Sequence, residues 1–468
     1  MISERALIYE GATSTFSIIL TQGALLTAMA LFFELDAVMI GVTASFPLAF
    51  QVVQVINPWL LRQVRSRKRL LAAANSVRFL WVILIAALIV RRQSPLLFIV
   101  VFAVTQAANS VAGNTWMSLV RDVVPAERQG SFVARRNVSI SVVTVLLVLA
   151  YSRVIDVVAE PWNWVIVLAI SLAGTVLSLK SIEPVQEPLY SPTVYAGTYA
   201  AVLRDRNFMR LCLAYFVWNV VFLISAPFFS YHQITNLQLP MTVIGLATVS
   251  MSVLSVLFYR LWAHVSQRMG TKTILVAGIM LASSTPVIWL LMTPTMWPYA
   301  MVADVLLAAF SWAALNIAFI ALPLEVTRDS SPGYYALYFA FGGIGGLVGS
   351  VIGGFAAGWL NGLQFTLGGE TFFGLQLLFV TVGFLRFATL KLFTRIHTER
   401  YVAPHTMVIN VLSVVARRPP LRPFESLRLD LRQRNGKKRK PNRSTASGAG
   451  PGSASGAGQE SEPSGAGE

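Results

Sequence analysis

Asn163–Lys180 reads NWVIVLAISLAGTVLSLK and carries no charge before its closing lysine. At 1.5 Å per residue such a run is about 27 Å long as a helix, close to the ~30 Å hydrocarbon core of a bilayer. Runs of this kind recur twelve times, at 12–34, 36–60, 70–90, 95–116, 137–155 and 163–180, then at 207–228, 242–262, 273–292, 298–322, 335–360 and 371–394. The whole chain of 468 residues is 55% hydrophobic and 12% charged, with a mean hydropathy of +0.64, which leaves too little polar surface for a soluble globule of this size. The fold class is therefore an all-α membrane protein of twelve transmembrane helices. Glu4 and Glu10 flank Arg5 ahead of a first run of full spanning length, which is read as a retained helix. Cys212 lies alone in an apolar run and His232, His264, His397 and His405 are scattered, so neither a disulfide framework nor a clustered metal site is expected.

The longest interruption before the tail, Ser181 to Arg206, contains Pro184, Pro188 and Pro192 and divides the bundle six plus six. The expected organisation is an N-terminal half at 1–180, a linker at 181–206, a C-terminal half at 207–394, a basic tail at 395–443 and a disordered Ser/Gly/Ala-rich end at 444–468. Basic residues crowd alternate joints: Arg62, Arg65, Arg67, Lys68 and Arg69 after the second run, and Arg121, Arg128, Arg135 and Arg136 after the fourth. The opposite joints carry Arg91, Arg92 and Arg153. Positively charged joints stay cytoplasmic during insertion, so both termini are expected on the cytoplasmic side of the inner membrane. The halves echo each other: Gln63-Val64-Arg65-Ser66-Arg67-Lys68 aligns with Gln267-Arg268-Met269-Gly270-Thr271-Lys272.

With twelve runs, a central linker and basic joints after runs two and eight, residues 10–395 resemble the major facilitator superfamily, which places G-x-L-A-D-R-x-G-R-K at those joints. The first copy here keeps Arg67, Lys68 and Arg69; the second keeps Arg268, Gly270 and Lys272; Gln63 and Gln267 stand where the family has aspartate. The stretch from Trp116 to Arg136, with Asp122, Pro125, Arg128, Gly130 and Arg135, is similar to the corresponding joint of little-studied bacterial members. The fifth run, from Val138 onward, lacks the glycine and proline pattern of the family's drug/proton antiporters. The resemblance implies a secondary active transporter for a small uncharged or amphipathic solute, working by alternating access, with a proton as the candidate coupling ion. A non-transporting scaffold, receptor or assembly factor on the same fold is the alternative.

By the same resemblance helices one, four, seven and ten line the central cavity. Their polar and aromatic groups are Gln22 and Thr27, Gln106 and Asn109, Trp218 and Asn219, and Ser311, Trp312 and Asn316. Amides at membrane depth must face protein or water, so each serves either a substrate or an interhelical hydrogen bond. Asp304 lies two turns inside helix ten and is the candidate for proton coupling or cation recognition. Glu34 and Asp36 fall at an outer turn, and Arg78 and Arg386 are placed to snorkel toward the cytoplasmic ends. In helix eleven Gly342, Gly346, Gly349 and Gly353 recur at four, three and four residues, a close-contact stripe suited either to a sliding seam or to a static crossing.

No phosphate loop, metal cluster or buried acid–base pair is present in the sequence, so neither an enzyme nor a cofactor is expected. The expected partners are a small-molecule substrate and membrane lipids, with the basic tail against the anionic inner leaflet. No nucleic-acid partner is expected, and the chain is read as a monomer.

Overall fold

Lipid supplies no partner for backbone N–H and C=O groups, so each apolar run closes its own hydrogen bonds as a helix. The computed structural model describes residues 2–187, 203–327, 332–398 and 400–402. The remainder of the expected linker, 188–202, and the expected tail beyond 402 lie outside the described residues. Among those described, eleven helices are long and apolar enough to cross a membrane, and a bent pair at the N-terminus makes a twelfth. In the first half α1 comprises Ile2–Ile18, a tight turn at Ile19–Thr21, and Gly23–Phe32; α2 comprises Ala37–Ala49, Phe50–Ile56 and Asn57–Val64; α3 comprises Arg67–Ser76, Val77–Leu80 and Trp81–Ile89. Then follow α4 (Pro95–Val123), α5 (Ala126–Val157) and α6 (Trp162–Ile182). The second half contains α7 (Arg206–Tyr231, extended by a wide turn at His232–Asn236), α8 (Met241–Met269), α9 (Thr271–Ile288 with Trp289–Leu291), α10 (Trp297–Val326), α11 (Pro332–Leu360) and α12 (Gly374–Thr394).

Three features differ from the sequence reading. First, α1 starts at Ile2 rather than near residue 12, and it is broken: Gln22 is extended, Gly23 has a φ of +62°, and the two parts meet at 54°. Only the apolar content of a run is read from its hydropathy, and a single glycine breaks the helix without lowering it. Second, the joint after α4 is only Val124-Pro125, so Arg128 and Arg135 lie on the first turns of α5 and form ion pairs with Glu4 at 3.7 and 3.5 Å. Charged residues end a membrane span without ending a helix. Third, an antiparallel hairpin joins α11 to α12, with β1 (Gln364–Leu367) paired to β2 (Glu370–Phe373) through Gly368-Gly369, both at positive φ.

The halves meet through α2 against α11, α5 against α8, and the outer part of α1 against α7. The glycines of α11 serve two neighbours. A Cβ at Gly342 would strike the Tyr215 ring, and at Gly349 or Gly353 it would stand 2.1 or 2.2 Å from the carbonyls of Val220 and Ile224, all on α7 of the same half. The face toward α2 is built from Gly346, Gly343 and Gly354 with Gly41: Cβ atoms there would meet Leu48, the Leu48 carbonyl, Val38 and the Ser350 carbonyl at 2.5–2.8 Å. The stripe thus divides between packing inside one half and the seam between halves.

The α5–α8 and α1–α7 contacts lie on the side away from the basic joints, the α2–α11 contact continues past mid-helix onto Phe50–Ile56, and among the described residues α4 and α10 make no extended contact with each other. On the closed side Asp156, near the end of α5, accepts hydrogen bonds from the first turn of α8: Met241 N at 2.8 Å, Thr242 N at 2.7 Å and Thr242 Oγ1 at 2.5 Å. A carboxylate on unpaired N–H groups at a helix N-terminus is favoured by both the hydrogen bonds and the helix dipole. One turn earlier, buried Ser152 packs on Gly245, where a Cβ would stand 2.4 Å from its Oγ.

Two predictions follow from this packing. Gly349→Leu places a branched side chain against backbone and should cost at least the ~1–3 kcal/mol of ordinary overpacking, while Val351→Leu should be tolerated. The melting temperature and monodispersity of the purified variants measure this, and equal behaviour of the two would contradict the packing. Asp156→Ala removes an exposed cap on α8 worth roughly 0.5–2 kcal/mol in all, so a cysteine placed at Ser152 should react faster with an aqueous thiol reagent in that background than beside Asp156. Unchanged labelling would show that Asp156 does not hold the closure.

Candidate functional site

The residues expected to line a central cavity fall into two groups. Asn219 Nδ2 donates to the Tyr215 carbonyl at 2.7 Å and Ser311 Oγ to the Ala308 carbonyl at 3.2 Å, so both are satisfied within their own helices. Trp218 is buried between Phe222 and Phe319 with ring centroids at 6.4 and 5.7 Å. Trp312 meets Phe222 edge-on at 5.0 Å and is half-buried. The C-terminal wall is therefore an aromatic cluster braced by α7 and α10. Gln22 is exposed at the break of α1, Asn316 is exposed and donates to the Tyr259 hydroxyl at 3.1 Å, and buried Gln106 leaves Nε2 without a partner. Of this set, Gln22, Gln106, Trp312 and Asn316 keep exposure or free hydrogen-bonding capacity.

Charge inside the bundle is richer than the sequence reading allowed. Arg78 does not snorkel. It is 3% exposed, Nε donates to Asn109 Oδ1 at 3.0 Å, and Nη1 donates to Ser14 Oγ at 3.1 Å. Ser14 in turn donates to Glu10 Oε1 at 2.8 Å and lies 3.0 Å from Ser178 Oγ, while Asn75 donates to the same Glu10 oxygen at 3.2 Å. Glu10 is 4% exposed and its Oε2 has no partner. The network ties α1, α3, α4 and α6 together. Glu10 escaped the sequence reading because it precedes the most apolar part of its run; its spacing of four from Ser14 was the available signal.

The C-terminal half holds a second network. Asp304 Oδ1 accepts from Trp289 Nε1 on α9 at 3.0 Å and interacts electrostatically with Arg386 on α12. Arg386 is 2% exposed, not snorkelling: Nη1 donates to the Ala282 carbonyl at 3.2 Å, Nη2 donates to Ser225 Oγ at 3.1 Å, and the guanidinium lies 5.2 Å from the Phe222 ring. Asp304 is thus aimed at its own half, where Arg386 balances its charge.

The echoed joints perform one task twice. Lys68 Nζ donates to the carbonyls of Glu183 and, at 3.1 Å, Val185 at the end of α6. Lys272 Nζ donates to those of Thr394 at 2.8 Å and Ile396 at 2.7 Å at the end of α12. Each lysine caps the negative end of the last helix of its half. Gly270 has a φ of +92°, and a Cβ there would stand 2.3 Å from the Arg400 carbonyl, so glycine is required by conformation and by space. Arg67 Nε donates to Ser118 Oγ at 2.8 Å; Ser66 Oγ caps the Arg69 amide at 3.1 Å; Arg268 is exposed. Where the family places an aspartate, Glu187 from the linker supplies a carboxylate, bonded to Ser66 Oγ and the amides of Arg67 and Lys68. A pocket of about 540 Å³ opens there beside Arg65, Lys68 and Arg69. The side chain of Asp122 and the surroundings of Gly130 lie outside what the structure describes.

Comparison with known proteins agrees with this architecture. The Major Facilitator Superfamily profile matches residues 211–432. No curated protein matches the chain significantly by sequence. Among solved structures, the chain is similar to the nucleoside transporter NupG (TM-score 0.61, 14% identity, 84% of this chain and 99% of that one). It is also similar to the xylose transporter XylE from E. coli in an inward-open conformation (0.59, 12%, 84% and 94%). A variant of the peptide transporter POT bound to alafosfalin gives 0.64 at 11%, covering 83% and 93%. At such identities the likeness concerns the fold. The profile covers less than half of the chain, and over the whole bundle the likeness is one of fold: a multi-pass all-α membrane protein built like these transporters.

Proposed function

We propose that the chain is a secondary active transporter that moves a small solute across the cytoplasmic membrane by exposing a central site to one side at a time. The observation that carries this reading is an uneven closure: the Asp156 contact and the packing of α1 on α7 hold the halves together opposite the basic joints, the glycine seam of α2 and α11 runs to mid-helix, and α4 and α10 stand apart. Small residues let α11 pack closely while presenting little relief to catch as the halves rock. The transporters of similar fold carry a nucleoside, xylose and peptides, all small polar solutes, and the free groups of Gln22, Gln106, Trp312 and Asn316 would suit one. Both termini are assigned to the cytoplasm by the basic joints, and the basic segment 395–443 to the surface of an anionic leaflet. The protein is proposed to work as a monomer.

Energy coupling is assigned to a proton at Asp304, the acid of a cavity-lining helix with a tryptophan and an arginine in reach. Asp304→Asn keeps the shape and the Trp289 hydrogen bond but cannot exchange a proton. In vesicles with an internal or external proton gradient, the wild type should accumulate its solute and Asp304→Asn should only equilibrate it, while Glu34→Asn, at an exposed outer turn, should behave as wild type. Identical responses of wild type and Asp304→Asn to the gradient would make Asp304 structural. Absence of any solute flux across a broad panel would favour the scaffold reading.

A further inference from the structure

We propose that Arg136, with Trp116 beside it, forms a binding site for an anionic oxygen group, a carboxylate or a phosphate, reached from the side of the basic joints; as a substrate contact it rests on the transport reading above. Arg136 lies about 15 Å along α5 from Ala126, and Trp116 about 10 Å from the end of α4. Among the described residues the other deep guanidiniums each make two hydrogen bonds, Arg78 with Asn109 and Ser14, and Arg386 with Ala282 and Ser225, although Arg386 Nε is also unpaired. Among the described residues Arg136 has no hydrogen-bond partner and no ion-pair partner. Its guanidinium carbon lies over the Trp116 ring, 3.9 Å from the centroid, and its buried Nε has no acceptor. Trp116 is itself nine-tenths buried, and its Nε1 donor is likewise unpaired.

A guanidinium offers five donors in a planar fork matched to carboxylate and phosphate oxygens, and leaving them unpaired inside a membrane span is costly. Local charge has the right sign. Glu10 is the carboxylate within electrostatic range of Arg78 and of Arg136, so two positive groups face one negative one. The Arg128 and Arg135 guanidiniums are directed instead to Glu4. Gly11 makes the room: a Cβ there would stand 2.6 Å from Arg136 Nε, so the absence of a side chain lets the guanidinium lie against α1. One excess cation on stacked, hydrogen-bond-hungry groups selects an anion, which revises the expectation of an uncharged solute.

Two sources share this chemistry, a soluble organic anion and an anionic lipid headgroup, and the test separates them. The full chain is placed in phosphatidylcholine nanodiscs and its melting temperature followed against inorganic phosphate and benzoate, with sodium chloride at matched ionic strength as reference. Phosphate or benzoate should raise the melting temperature of the wild type above the chloride reference. Arg136→Gln and Gly11→Ala should lose that rise, Arg136→Lys should retain part of it, and exposed Arg395→Gln should retain all of it. In nanodiscs with phosphatidylglycerol and no added anion, an Arg136-dependent rise identifies the lipid headgroup as the source; its absence beside a phosphate or benzoate response identifies a soluble solute. The proposal is overturned if none of these anions acts on the wild type, or if Arg136→Gln responds as the wild type does. Since binding is read without transport, a protein that binds anions yet moves none refutes the transport reading alone.

Discussion

Two helices in hydrocarbon gain nothing by hiding apolar surface from lipid, and the junction between the two halves of this bundle depends on that constraint. What holds them is close backbone contact and a small number of polar bonds. Gly343, Gly346 and Gly354 of α11, with Gly41 of α2, allow the first. Asp156 on the amide end of α8 supplies the second. The Asp156 bonds lie on the side away from the basic joints, whereas the glycine contacts run from Val38 to Leu48, about halfway along α2. Within each half, aromatic clusters such as Trp218, Phe222 and Phe319 and the buried guanidiniums of Arg78 and Arg386 cross-link several helices at once. Rigid-body rocking would need this junction to slide along the smooth glycine faces of α11 and α2 while the cross-linked interior of each half stays intact.

Buried charge obeys the same constraint. An arginine in a span is tolerated when its donors find carbonyls, hydroxyls and a compensating carboxylate, and Arg78 and Arg386 both meet those terms. Arg136 meets only part of them, which separates a residue that holds the bundle together from one that waits for a ligand. The lysines of the two basic joints are of the first kind: they close the C-terminal ends of α6 and α12 with the same geometry in each half.

Hydropathy sufficed for the membrane-spanning runs, because spanning length and lack of charge follow from the membrane alone. The alignment of Lys68 with Lys272 was equally readable, since one packing problem is solved twice. Side-chain direction was not. The stripe from Gly342 to Gly353 looked like one face, yet α11 is glycine-rich on two faces and has a neighbour on each. Arg78 and Arg386 were placed at the interface from distance along a helix, but their partners, Asn109, Ser14, Ala282 and Ser225, come from other helices and have no mark in the local sequence. The break at Gln22-Gly23 leaves the composition of the first run unchanged. The hairpin at Gly368-Gly369 did carry a signal, a glycine pair between alternating segments, hidden within a joint between spans.

The account stands on the halves moving as two bodies about the glycine seam. Its most direct test is a pair of spin-label distances in lipid nanodiscs, one between positions 160 and 238 on the closed side and one between positions 63 and 267 on the side of the basic joints. The only native cysteine, Cys212, is fully buried. With the protein cycling, each pair should show two distance populations, and a condition that lengthens the first should shorten the second. Single, unchanging distances for both pairs, across solutes and pH, would describe a static scaffold and contradict the account.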